Sequence, residues 1–230
     1  MIITNKHGLP DTLMALATSD NYSKGDADYS VTEIISPARI ARLRRKHYTQ
    51  MTQDVSDMMW QLLGSALHVV AEKGQTEGYI TEERLYAEID GVILSGAIDI
   101  QKVTPQGIEI TDYKFTSAWS LRQDKFEWDA QQNIYAYLVR RVKKLPVTKV
   151  QICALVRDWS RREAAIKPSY PQSPIVVIDL KMWTNEETEK YIREEKGYVE
   201  VRKGESVRCT GNYCGVNQWC SQYQQSKEVA

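Results

Sequence analysis

The stretch ITDYKF sets Asp112 and Lys114 two residues apart in a segment of β-branched and aromatic residues. Strand side chains alternate faces, so Asp112 and Lys114 point one way and Tyr113 the other. Burying either charge alone is costly. Taken by itself, D-x-K reads as a salt bridge at a strand edge. A second acid changes the reading. The segment Gly96-Ala97-Ile98-Asp99 precedes it, and a meander would bring Asp99 close to Asp112. Two carboxylates at short range repel and do not both stay ionised without a cation. A divalent ion compensates them, and hard oxygen donors favour Mg²⁺ or Mn²⁺. His68 could add an imidazole from a packed helix. Lys114 would then orient or deprotonate the attacking water, or stabilise charge developing on a phosphate.

The elements that must position these residues are legible from periodicity. Residues 1–30 are polar and rich in turn formers, which predicts a loosely structured arm. Ser30 and Thr32 can cap a short helix, and Pro37 can start another. That second helix carries Arg39, Arg42, Arg44, Arg45 and Lys46. Its basic run is either a solvated face or a phosphate-contacting edge. Residues 53–73 predict a helix with an apolar stripe through Val55, Met59, Leu62, Leu63, Ala66, Leu67 and Val70. Gly64 in its middle predicts a close backbone approach, and His68 shares a face with Glu72. Residues 83–115 change to period two: a hairpin turning at Asp90-Gly91, a turn at 105–107, then IEITDYKF. A long amphipathic helix over 121–144 follows, built on Trp128, Ile134, Tyr135, Leu138 and Val139. Two further strands come next, and Thr184 caps a last helix. One domain is expected: N-terminal arm and helices 1–52, catalytic core 53–200, and a cysteine-bearing tail 201–230.

The set Gly64-x-x-x-His68, Gly96-x-x-Asp99, Asp112-Tyr113-Lys114 and Gln131-x-x-x-Tyr135 resembles the RecB-like branch of the PD-(D/E)xK nuclease superfamily. This resemblance spans roughly residues 30–225 at fold level. It implies an α/β (α+β) restriction-endonuclease-like core, with a central mixed sheet flanked by helices. It implies a Mg²⁺- or Mn²⁺-dependent DNA exonuclease in which His68, Asp99, Asp112 and the Tyr113 carbonyl hold the metal and Lys114 is catalytic. Gln131 and Tyr135 match the element that positions DNA. Glu72 and Glu88 have no role in the pattern. The arm's phrasing and the chain's size resemble phage-encoded members, which points to phage recombination or DNA end processing.

Cys209, Cys214 and Cys220 crowd into RCTGNYCGVNQWCSQY. Related nucleases carry an iron–sulfur cluster that uses three such cysteines and one from the N-terminal region. Here Ser36-Pro37 stands where Cys-Pro is common, and residues 1–152 hold no cysteine. A four-cysteine cluster is therefore not expected. Three outcomes stay open: a metal-free clasp, zinc with His7 or His47 as fourth ligand, or a cluster with an unusual ligand. Cys153, in VQICALV, reads as a small buried strand residue.

Thirty basic and thirty acidic residues give zero formal net charge, so DNA contacts must be local. Thr116, Ser117 and Trp119 follow the catalytic strand. Their hydroxyls suit phosphate oxygens, and the indole either stacks on a base or sits buried in a polar loop. Arg122 and Lys125 are candidate backbone contacts. No apolar run has the length of a membrane span, and the N-terminus lacks signal-peptide character, so a cytoplasmic setting is expected. A recombination partner and an oligomer stay open. The rivals are a non-catalytic DNA- or protein-binding module on the same fold and a scaffold whose acids are merely salt-bridged.

Overall fold

The computed structural model describes residues 1–19, 24–74, 76–123, 126–193 and 214–228. Lys125 and Cys209 lie outside the described residues. In chain order the first elements are β1 (Ile2–Thr4), α1 (Asp11–Ser19), β2 (Tyr29–Ser30), α2 (Val31–Ile35), α3 (Ala38–His47), β3 (Thr52–Asp54) and α4 (Met59–Glu72). Then come β4 (Tyr79–Ile89), β5 (Val92–Thr104), β6 (Gly107–Thr116), α5 (Phe126–Lys143) and β7 (Val147–Val156). The chain continues through α6 (Arg161–Ile166), β8 (Ile175–Asp179), α7 (Asn185–Arg193) and α8 (Ser221–Glu228). Among the described residues no helix is long and apolar enough to cross a membrane.

Two compact units result. The first comprises Met1–Asn21, Glu33–Met59 and Ile192–Ala230. In it β1 pairs parallel with β3. Asp54 ties this pair together, accepting from Thr4 Oγ1 at 2.9 Å and from the Lys6 amide at 2.8 Å. Cys214 and Val216 pack with Met51 in a small buried cluster against Ile40 and Leu43. His47 stacks on Trp219 with ring centres 4.6 Å apart.

The second unit comprises Tyr22–Thr32 and Trp60–Tyr191. Its mixed sheet runs β2-β5-β6-β7-β8, with β4 also on β5. β4, β5 and β6 form the antiparallel meander, and β6 and β7 are parallel, joined by α5 as crossover. Asp90 and Gly91 turn the first hairpin with φ of 52° and 80°, the left-handed pair that a two-residue turn needs. Every residue of α5 from Ala130 to Val139 is buried. Ile98, Ile108, Ile110, Ile134, Leu138 and Ile152 fill the core. Gly96 lets α5 approach: a Cβ there would stand 2.8 Å from the Tyr135 ring and 2.9 Å from Leu138. At Thr184 the cap forms, since Thr184 Oγ1 accepts from the Glu187 amide at 3.1 Å and Glu187 accepts from the Thr184 amide at 2.7 Å.

Some expectations fail. The described part of residues 1–30 is not a loose arm, because it contains β1, α1 and β2. Asn5 closes the loop ahead of α1 by bonding both the amide and the carbonyl of Leu9. The helix predicted from residue 53 starts at Met59. Asp54 accepts from the Ser56 amide and hydroxyl, which starts a 3₁₀ turn over Val55–Met58 first. Leu63 and Val70, placed on the apolar stripe, are exposed, while Leu62 is buried. Gly64 makes no close approach: nothing lies within 4 Å of where its Cβ would be. Cys153 is half-buried rather than fully enclosed.

Candidate active site

Strand register lines up three acids. Thr81 pairs with Ile100 and Glu83 with Ile98, so Glu82 stands level with Asp99. The β5–β6 ladder runs from Thr104↔Gly107 to Ile100↔Thr111 and ends there. Its next level holds Asp99 and Asp112. Glu82, Asp99 and Asp112 therefore occupy one level of three adjacent strands. Where the backbones part, the Asp99 carboxylate accepts from the Tyr113 amide at 2.7 Å.

His68 reaches this level from α4. Its Nδ1 lies 3.2 Å from Glu82 Oε1 and 3.4 Å from Asp99 Oδ2. One ligand atom each from His68, Glu82 and Asp99 falls within 4.8 Å of the others. Among the described residues this is the one such group of three or more His, Cys, Asp or Glu. Glu82 holds φ at 51°, a left-handed conformation that is unfavourable for a side chain with a Cβ and that concentrates at functional sites.

Asp112 is only 2% exposed. Lys114 Nζ lies 2.6 Å from its Oδ2, yet that oxygen has no aligned hydrogen-bond donor. The pair is thus a close ion contact without directional bonding, and the buried oxygen keeps accepting capacity. Burial, followed by the neighbouring Asp112 charge, pushes the Asp99 carboxyl up to about 8. The hydrogen bond to Glu82 raises His68 above the ordinary imidazole value, against the opposing effect of burial. An acid held that far up gains most from a cation that removes its proton. Two carboxylates and one imidazole within 4.8 Å of one another, with the buried Asp112 on the same level of the sheet, fit a hard divalent ion.

A family model of the PD-(D/E)XK nuclease superfamily matches residues 15–221. The chain belongs to this superfamily. The mixed sheet flanked by helices is the restriction-endonuclease-like fold of the PD-(D/E)XK nucleases. The solved structure of SSO0001 shares that fold, with a TM-score of 0.61 at 15% identity over 92% of this chain and 95% of that one. An exonuclease candidate from Eubacterium rectale aligns over 93% of this chain and 79% of that chain, at 12% identity and a TM-score of 0.34. That likeness is too low to bear on fold or function. No curated protein sequence matches the chain.

The other residues singled out in this PD-(D/E)XK chain are placed as follows. Gln131 Nε2 donates to Tyr135 Oη at 2.9 Å, and both residues are buried on α5. Thr116 is buried, and its carbonyl accepts from the Arg157 amide at 2.9 Å. Ser117 Oγ accepts from the Ser120 amide at 3.1 Å and starts the turn that carries Trp119. Trp119 is 63% exposed, so the buried reading of that indole fails. The basic residues of α3 include none that are buried. Cys214 and Cys220 are buried free thiols. Sequence reasoning missed Glu82, and its surrounding TEER carries only a weak signal: two adjacent glutamates interrupting a strand.

Proposed function

We propose that the chain is a divalent-metal-dependent deoxyribonuclease of the RecB-like branch. It hydrolyses phosphodiester bonds from DNA ends, in phage recombination or end processing. The observation that carries this reading is the level shared by Glu82, Asp99 and Asp112, met by His68, with Lys114 2.6 Å from Asp112. His68, Glu82, Asp99 and Asp112 would hold the cation, Mg²⁺ or Mn²⁺, with the Tyr113 carbonyl on the same strand. Bound there, the ion supplies a lowered pKa for a water and charge neutralisation at the phosphate.

The chain's own groups have distinct roles. Lys114, 2.6 Å from Asp112, presents its side-chain nitrogen where charge develops on the phosphate. Asp99 fixes the Tyr113 backbone and so the spacing of β6 from β5. Glu82 holds the imidazole of His68 in orientation. Gln131 and Tyr135 support the site from α5, and Thr116, Ser117 and Trp119 lie on the path of a strand leaving Lys114. Action on ends and the phage setting rest on the motif resemblance.

The test is cleavage of linear and circular DNA, with duplexes labelled at either end, in Mg²⁺, Mn²⁺ or EDTA. A metal-dependent loss of linear DNA with circles spared is expected. Binding without cutting would instead favour a non-catalytic module.

A further inference from the structure

At the C-terminal end of β6 a tryptophan is held from behind by a cation. The Arg157 guanidinium, just beyond β7, lies 4.3 Å from the centre of the Trp60 ring. Phe115 flanks the same ring at 6.2 Å, tilted by 42°. Trp60, in the first turn of α4, is still 54% exposed. The backing is anchored, since the Arg157 amide donates to the Thr116 carbonyl at 2.9 Å. Asp158, the next residue, accepts from the Ala118 amide at 2.7 Å and holds the turn before Trp119.

This is an ordered indole with much of its surface in water. Exposed apolar area is unfavourable, and a ring already packed against Arg157 and Phe115 has less freedom to lose when a ligand arrives. An indole offers its face to a flat π system. The guanidinium beside it offers charge-assisted bonds to phosphate. One nucleotide presents both, a base and a phosphate. Bases inside a duplex have both faces stacked and are tied to their partners, so an unpaired base is the one free to turn onto an isolated ring. Phe115 adjoins Lys114, about 3.3 Å along the strand, and the two side chains leave β6 on opposite faces. A strand touching both Lys114 and Trp60 would have to round the end of β6, which a single flexible strand can do.

We infer that Trp60, backed by Arg157 and Phe115, is a stacking platform for an unpaired base of the DNA strand that passes Lys114, so that single-stranded or tailed ends are preferred over blunt duplex. The inference rests on DNA being the substrate of the site described above.

Anisotropy titration of a labelled single-stranded oligonucleotide, in EDTA at low salt, tests it on the full chain. Trp60→Ala is expected to weaken single-strand binding about 10-fold, in line with one lost base stack. Trp60→Phe keeps most of the affinity, and Arg157→Gln loses part of it. The wild-type preference for tailed over blunt ends collapses in Trp60→Ala. Trp60→Leu keeps apolar contact with Phe115 without a flat ring, and gives the same loss should Trp60→Ala fail to fold. Unchanged single-strand affinity in folded Trp60→Ala or Trp60→Leu overturns the platform, as does an equal loss for tailed and blunt DNA. Cleavage by the wild type is scored separately. A chain that binds through Trp60 but never cuts contradicts the hydrolase, and one that cuts tailed ends equally well without Trp60 contradicts the platform alone.

Discussion

Asp99 accepts the amide N–H of Tyr113 at 2.7 Å, at the level where the backbone ladder between β5 and β6 has ended. A side chain there replaces the strand carbonyl that would otherwise hold Tyr113. The same carboxylate lies 3.4 Å from His68. One residue thus sets the opening between two strands and faces His68 and Glu82 in that opening, so its ionisation would couple stability to the proposed metal binding.

The coupling predicts a pH dependence with a definite sign. Asp99 titrates near 3.8 when unfolded and near 8 when folded. Between those values the folded chain binds more protons than the unfolded chain, so stability falls as pH rises. His68, also raised, acts in the same direction above its unfolded value. A cation needs the deprotonated carboxylate, so its apparent affinity rises over the same window. Thermal unfolding from pH 5 to 9 in EDTA should show a declining Tm, with the decline reduced in excess Mn²⁺. A flat EDTA profile contradicts the buried position of Asp99.

Much of this arrangement was legible in the sequence, because it is local. The Asp90-Gly91 turn, the alternation around Asp112 and the three-and-four spacing of α5 each follow from neighbouring residues. What escaped depends on distant partners. Residues 1–19 look unstructured until Asp54, about fifty positions away, accepts bonds from Thr4 and Lys6. Gly64 and Gly96 look alike in sequence, yet only Gly96 meets a packed helix. Glu82 enters the site through the register of β4 on β5, which no local pattern specifies.

Asp112 and Lys114 should behave as a pair. Lys114→Met removes the cation beside a buried carboxylate and should destabilise the fold by up to about 3 kcal/mol. Asp112→Asn should cost less, since it removes the charge that needs compensation. The double variant should recover much of the loss of Lys114→Met, and denaturant titration of all four chains measures that coupling. Each single variant should also lose DNA cleavage by at least about 10²-fold.

Glu82→Gly separates strain from chemistry. Glycine accepts a φ of 51° freely, which offsets the lost bond to His68. Stability in EDTA should stay within about 1 kcal/mol of the wild type. Metal affinity should fall about 10–100-fold. Parallel unfolding and Mn²⁺ titration check the two halves, and unchanged affinity removes Glu82 from the site.

Gly96→Ala should disturb the helix that carries Gln131 and Tyr135. Its new methyl meets Tyr135 and Leu138 at under 3 Å, an overpacking that costs about 1–3 kcal/mol. A lowered Tm together with reduced cleavage is expected. A neutral effect would show that α5 shifts without affecting the site.

The central claim is that His68, Glu82, Asp99 and Asp112 bind a divalent ion used to cut DNA. Calorimetric titration of Mn²⁺ into the wild-type chain and into Asp99→Asn, each with DNA present, tests it most directly. Saturable binding by the wild type that Asp99→Asn weakens at least about 10-fold is the predicted result. Absence of binding at millimolar Mn²⁺, or equal binding by both chains, would contradict it.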